Sequence, residues 1–234
     1  MPLEKHPVRD ILENDVAAIT TYSKEVLATL QHMGLGYKSH LVTNFVDTPH
    51  FKNPNAPKPR DVTIIYVGRL EPTQTPELVL DAFKKVHDKL PNAKLTIVGY
   101  GRLYEPLKQR TKEYGLEEAV TMTGKQTDVR KYLWQSDVFV ATNFGYIATL
   151  EAWSAGLAVV APKFGVLKET VTHKETGLLF EPFNADDLAA KLTLAIKDTE
   201  LRKKIEQNGN QTVQGYDIRS VAPKMSAIYR SVVK

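Results

Sequence analysis

The chain of 234 residues contains no cysteine, which removes disulfides, thiolate nucleophiles and cysteine-type zinc sites together. No apolar run approaches the roughly 18 residues that a bilayer crossing needs, and the opening "MPLEKHPVRD" lacks the apolar core of a secretory leader. The expectation is a soluble, cytoplasmic protein, with peripheral contact to a membrane left open. The six histidines never pair at i, i+4, so no metal is expected. No Gly-Lys-Ser/Thr follows an apolar run, which excludes a P-loop, and there is no G-x-S-x-G elbow. Basic residues are spread rather than massed. With 31 Lys+Arg against 27 Asp+Glu the net charge is +4, and no basic run is long enough for a nucleic-acid arm. That mild balance suits a phosphorylated ligand or an anionic surface as well as plain solubility.

What is present is an ordinary globular composition, 42% hydrophobic and 25% charged, on a chain long enough to bury most of its extended surface without a staple. Short β-branched or apolar runs recur: Val62 to Gly68, Ala93 to Gly99, Ala119 to Gly124, Ser136 to Thr142, Gly156 to Pro162 and Gly177 to Pro182. Segments of helical period separate them. In "TPELVLDAFKKVHDKL", Thr75 suits an N-cap and Pro76 a first turn, while Leu78, Val79, Ala82, Phe83, Val86 and Leu90 make one apolar face. Strands apolar on both faces and alternating with helices predict βαβ crossovers and an α/β, doubly wound, Rossmann-like parallel sheet.

A smaller piece precedes it. "AAITTYS" reads as a strand, "KEVLATLQHMG" as a helix and "SHLVTN" as another strand, and the Pro-rich "FKNPNAPKPR" reads as a hinge. The last segment, "DIRSVAPKMSAIYRSVVK", reads as an amphipathic helix that Pro223 should kink or delay. The expected division is 1–51, a linker at 52–60, the main domain at 61–215 and a final helix at 216–234.

Ligands of such sheets bind beyond the carboxyl ends of the strands. The turns there are Gly68-Arg69, Gly99-Tyr100-Gly101, Gly124-Lys125-Gln126, Asn143-Phe144-Gly145 and Lys163-Phe164-Gly165, nearly all with a glycine that lets backbone amides approach a ligand. "GYG" falls short of a dinucleotide fingerprint, because Tyr104 stands where its third glycine belongs. Arg69 follows a buried strand, where a guanidinium could grip phosphate oxygens; the alternative is a surface pair with Glu71. Glu151 lies in the apolar "IATLEAWSAG", where an unpaired buried carboxylate is costly. Two vicinal ribose hydroxyls would satisfy it, and so would a salt bridge to Lys163. Glu169 reads as sitting at a helix start, where negative charge is favoured. "NQT" at Asn210 has sequon form and is discounted.

The motifs "VGRL…P", "LTIVGYG", "SDVFVAT", "LEAWSAGLAVVAP" and "ETGLLFEPFNADDLAAKL" come in the order of the donor-binding half of GT-B retaining glycosyltransferases. The chain resembles the GT4-type, or group 1, enzymes from about Val16 to Lys234. The resemblance implies a nucleotide-sugar donor, such as a UDP- or GDP-hexose, as substrate, with no separate cofactor. It implies that Arg69 holds the diphosphate and that Glu151, second acid of the family's E-x7-E signature, grips the ribose. It places the backbone of Phe144, Gly145, Tyr146 and Ile147 near sugar and phosphates, Gly124, Lys125 and Gln126 near the base, and Gly68, Gly99 and Gly101 in the donor-binding turns. Two positions depart from the pattern. The first acid is Asn143, which can orient the donor sugar but carries no charge. The family's lysine falls at Gln74, which removes a cation beside the departing diphosphate.

The resemblance also implies an acceptor-side domain, of which Met1 to Asn44 would be only the last part, with the final helix packing on Val16 to Asn44. The implied activity is transfer of a hexose, with retention, to an unknown glycan, lipid or protein acceptor. The alternative is a weak or inactive nucleotide-sugar-binding module completed by a homodimer or a separate acceptor-domain partner. A sugar-nucleotide epimerase is a third option.

Overall fold

The computed structural model describes residues 8–54, 61–143 and 145–233. Most of the expected linker, and Phe144 among the expected donor-binding residues, lie outside them. The chain divides into two compact units. One comprises the described residues up to Val46 together with those from Gly215 onward, and the other is Asp47–Gln214.

The smaller unit begins with helix α1 (Val8–Asn14), strand β1 (Ile19–Thr21), helix α2 (Lys24–His32) and strand β2 (Ser39–Leu41), with β1 and β2 parallel. Ser23 caps α2 by accepting from the Val26 amide. Leu30, Met33 and Leu35 form a small core, with Leu12 and Ile19 packed on it.

In the larger unit a short helix, α3 (Thr48–Phe51), comes first. It does not read from the sequence, because four residues with Pro49 carry no period. It belongs to this unit, so the division falls after Val46 and not after residue 51. Trp134 Nε1 donates to the Phe51 carbonyl at 2.8 Å and Asn53 Nδ2 to the Trp134 carbonyl at 3.4 Å, which ties α3 to the larger unit.

Six strands follow: β3 (Thr63–Val67), β4 (Lys94–Val98), β5 (Val120–Met122), β6 (Val138–Val140), β7 (Ala158–Pro162) and β8 (Leu178–Phe180). Each lies inside a run expected to be a strand. They form one parallel sheet in the order β5-β4-β3-β6-β7-β8. Between them stand α4 (Pro76–His87), α5 (Tyr104–Glu113), α6 (Arg130–Trp134), α7 (Tyr146–Ser154) and α8 (Gly165–Thr170), and α9 (Ala185–Lys197) and α10 (Thr199–Thr212) close the unit. Val79, Leu80, Phe83 and Val86 of α4 share the main core with Leu188 and Leu192 of α9. The order reverses between β3 and β6, and a doubly wound sheet opens its ligand crevice at that reversal. Asp137 pins the junction, its carboxylate accepting from the Thr63 amide at 3.0 Å.

Three local expectations change. Thr75 occupies the N-cap position of α4, but it is left-handed (φ 48°) and its side chain makes no cap hydrogen bond. The preceding 3-10 turn, Pro72–Gln74, delivers the chain in that conformation, and the Thr75 hydroxyl is buried without a partner in the structure. Glu169 lies at the end of α8, not its start, because the helix already begins at Gly165. The final helix, α11 (Ile218–Val232), runs through Pro223 without a late start. Asp217 caps it by accepting from the Arg219 amide at 2.8 Å, which fixes the start ahead of the proline. Val46 and Asp217 form a parallel bridge that joins α11 to the smaller unit.

Two turns at the carboxyl edge of the sheet are pressed together. A Cβ added at Gly99 (φ 152°) would lie 1.8 Å from the Gly68 carbonyl oxygen, and one at Gly101 2.4 Å from that of Leu70. Gly99→Ala should therefore lower stability by about 2–3 kcal/mol. A chemical denaturation curve checks this, with an unshifted midpoint as the contrary result.

Candidate functional site

A cavity of about 300 Å³ opens at the β3/β6 reversal. Tyr66, Val67, Gly68, Arg69 and Gln74 form the wall from the β3 side, and Ala141, Thr142, Gly145, Ile147, Ala148 and Glu151 form the wall from the β6 and α7 side. Sequence reasoning anticipated Gly68, Arg69, Gln74, Gly145, Ile147 and Glu151 here. It missed Tyr66 and Thr142, which read as strand core.

Tyr66 holds the two walls in register. Its hydroxyl donates to the Arg69 carbonyl at 3.2 Å, and the Thr142 side chain hydrogen-bonds the phenol. Burial pushes its pKa up to about 12, so it stays a neutral donor. Gly68 makes this possible, since a Cβ there would meet the Tyr66 hydroxyl oxygen at 2.6 Å. Arg69 is exposed at the cavity mouth. Its expected alternative partner, Glu71, is taken by Arg102, whose Nε lies 2.7 Å from Oε2 and whose amide also donates. Those bonds hold the Glu71 carboxyl below the usual range.

Glu151 projects from α7 between Leu150 and Ala152, both fully buried. Trp153 anchors that helix, donating from Nε1 to the Thr176 carbonyl at 3.0 Å, with Gly209 of α10 packed against its ring. Asn210 donates to the Trp153 carbonyl, so the sequon-like asparagine is a packing residue. Lys163, the alternative partner of Glu151, pairs instead with Glu181 at 3.4 Å. Burial alone pushes the Glu151 pKa up to about 7. Gln74, on the facing wall, is 6% exposed. It is a neutral amide where a second cation would have stood.

Glu151 also borders a second cavity of about 340 Å³, lined by His50, Phe51, Val67, Thr127, Asp128, Val129 and Arg130. Arg130 binds Asp128 through Nε and Nη2 at 2.9 and 2.6 Å and holds that carboxyl well below its ordinary range. Its Nη1 lies 3.3 Å from His50 Nδ1. No spacing in the sequence links His50 to Arg130, which is why this chamber was not anticipated. Other expected residues stand back from both cavities. Lys125 and Gln126 precede the second chamber, and Gln126 is turned to the Thr123 carbonyl. Asn143 follows Thr142 in the turn without lining the wall, Tyr146 is buried, and Gly99 and Gly101 serve the close approach of the turns. Among the described residues no group of three or more His, Asp or Glu gathers as a metal site, and no helix is long and apolar enough to cross a membrane.

The family model described as Glycosyl transferases group 1 matches residues 47–212. The chain belongs to that family. A sulfoquinovosyl transferase of Arabidopsis thaliana is 29% identical over 174 residues, covering 72% of this chain and 33% of that protein. An uncharacterized glycosyltransferase of Haemophilus influenzae is 27% identical over 222 residues, covering 90% of this chain and 62% of that protein. The chain thus spans between a third and two thirds of the length of these curated relatives. Among solved structures, HepE of Anabaena in complex with UDP and glucose aligns with a TM-score of 0.81 at 21% identity, over 95% of this chain and 67% of that one. The expected Rossmann-like domain of GT-B type is the fold the chain has.

Glu151 makes the ligand-free site sensitive to pH. The folded chain keeps a proton that the unfolded chain releases near 4.5, so stability is lost on this account as pH rises from about 4.5 to about 7. Glu151→Gln removes that loss. Relative to wild type it should be more stable at pH 8 by about 2–3 kcal/mol and no more stable at pH 4. Urea unfolding at the two pH values measures the difference, and an equal gain at both would point away from ionisation.

Proposed function

We propose that the chain binds a nucleoside diphosphate sugar in the joined cavities and serves transfer of that sugar to an acceptor. One observation carries this: Arg69 and Glu151 border the same cavity, and neither is taken by its alternative ion-pair partner. In this reading Arg69 meets the diphosphate, with the first-turn amides of α7 beside it, where a helix start favours anions. Glu151 accepts from the two ribose hydroxyls, and the base extends into the chamber of His50 and Arg130. Asn143, beside Thr142 at the family-pattern position, orients the hexose from the turn outside the wall. The presence of UDP and glucose in HepE supports this assignment, as does the naming of relatives as glycosyltransferases.

For transfer with retention, the bond from the sugar's anomeric carbon to the diphosphate oxygen breaks, and the diphosphate takes the electron pair. An acceptor hydroxyl forms the new bond on the same face and yields its proton to the leaving phosphate oxygen. Arg69 stabilises the developing negative charge. The acceptor is a glycan, lipid or protein, and the domain that holds it comes from the same polypeptide, a second copy or a separate subunit.

Calorimetric titration with UDP, GDP and their hexose conjugates tests the binding. Arg69→Ala should weaken the tightest of them about 10- to 100-fold, the cost of a hydrogen bond to a charged group. Because ribose hydroxyls donate to the carboxylate, affinity should rise as pH passes upward through about 7 in the wild type and not in Glu151→Gln. No binding by any of these nucleotides, or full affinity in Arg69→Ala, would reject the proposal.

Gln74 and Asn143 favour a second reading, a nucleotide-sugar-binding module with weak transfer. Both are neutral where the family pattern carries charge. Gln74→Lys separates the two readings. A gain of about tenfold or more in donor hydrolysis or transfer, with donor binding retained, would show that the missing cation limits the rate. An unchanged rate would place the limit elsewhere.

A further inference from the structure

A third cavity, of about 470 Å³, is larger than either chamber of the crevice and shares no lining residue with them. It opens between α4 and α5, lined by Glu77 from the first helix and by Pro106, Leu107, Gln109, Arg110 and Glu113 from the second. Both helices follow the carboxyl ends of parallel strands that pair with each other, so they run the same way. Glu77, in the first turn of α4, therefore stands at the same end of the cavity as Pro106, in the first turn of α5. Glu113, the last residue of α5, stands at the other end, about 10 Å further along the helix.

The middle of this cavity is neutral and its ends are not. Arg110 Nη1 lies 3.2 Å from Asp81 Oδ1, which compensates the guanidinium, and the Tyr114 hydroxyl donates to the same carboxylate at 2.8 Å. Glu113 accepts from the neutral Gln109 amide at 3.1 Å. Neither Glu113 nor Glu77 forms an ion pair among the described residues. Two uncompensated carboxylates thus flank the cavity on a chain whose net charge is +4. Between them, Pro106 and the buried Leu107 supply an apolar floor.

These features select among cations. A metal ion wants several oxygen ligands around one point, and no group of three or more His, Asp or Glu gathers among the described residues. A peptide needs partners for its main chain, and the sides of two helices have spent their backbone groups on themselves. An alkyl amine needs neither. Its ammonium is a compact triple donor, and its methylene stem lies readily along apolar surface.

We propose that this cavity binds a linear aliphatic polyamine, with one ammonium on Glu77, another on Glu113 and the stem over Pro106 and Leu107. The site stands apart from the donor reading above and does not depend on it.

Spermidine is titrated calorimetrically into the full chain at low ionic strength, beside butylamine, a tetralysine peptide and magnesium chloride. Wild type, Glu77→Gln, Glu113→Gln, the double variant and Glu151→Gln are compared, each with a thermal melt. The expected result is one spermidine per chain, bound about 3- to 5-fold more weakly by each single variant, since a half-exposed ion pair contributes little alone. The double variant should lose about tenfold or more, butylamine should bind wild type more weakly by a similar factor, and Glu151→Gln should bind spermidine as wild type does. No saturable spermidine binding, equal affinity for butylamine, or full affinity in the double variant overturns the proposal. So does a loss confined to Glu151→Gln, which would put the amine in the crevice. Tetralysine binding through Glu77 and Glu113 in place of spermidine, or displacement of spermidine by an equal concentration of magnesium, would also overturn it. The comparison of spermidine with butylamine uses wild type alone, so it decides even where a variant fails to fold.

Discussion

The phenol of Tyr66 is the tie on which the crevice depends. It stands at the one place in the sheet where neighbouring strands run away from each other in sequence, and it is bonded to both sides. Through the Arg69 carbonyl it shapes the turn after β3, and through Thr142 it meets the turn after β6. Because burial keeps it protonated far above neutral pH, the link does not titrate where proteins work. Gly68 is the other half of the arrangement, since any side chain there would collide with the hydroxyl.

Around this tie the site sets two kinds of charge in contrasting environments. Arg69 stands in solvent at the cavity mouth, within reach of an anion. Glu151 is held in a largely apolar wall, where ionisation is opposed until something supplies donors. The arrangement is poorer in free energy when empty than when filled, which is how a site stores selectivity for a ligand that brings hydroxyls. Gln74 changes the balance, because a neutral amide adds a hydrogen-bonding group to the wall without adding to the field.

The sequence revealed the sheet because parallel strands buried on both faces must be nearly continuous runs of Val, Ile, Leu and Phe. All six strands of the larger unit were legible for that reason. The glycine-containing turns, Arg69 and Glu151 were legible because charge or glycine beside such runs is conspicuous. Tyr66 was not, since inside "VTIIYVG" a tyrosine looks like any other core residue. The chamber around His50 and Arg130 escaped because its walls come from a four-residue helix and a loop with no period to read. The misplaced start of the Glu169 helix and the missing Thr75 cap have a common source. Local propensity suggests where a helix can begin, but the preceding turn decides which residues have their amides free.

The sheet order has a kinetic side. The two walls of the crevice meet only where β3 lies against β6, and the Thr63–Asp137 bond that pins them spans 74 residues. A partly synthesised or partly refolded chain can pair β3 with β4 and β4 with β5 long before that junction closes. The crevice is thus among the last features to appear, and contacts of such separation are slow to form. A ligand added during refolding would act on the finished state alone, slowing its loss rather than hastening its arrival.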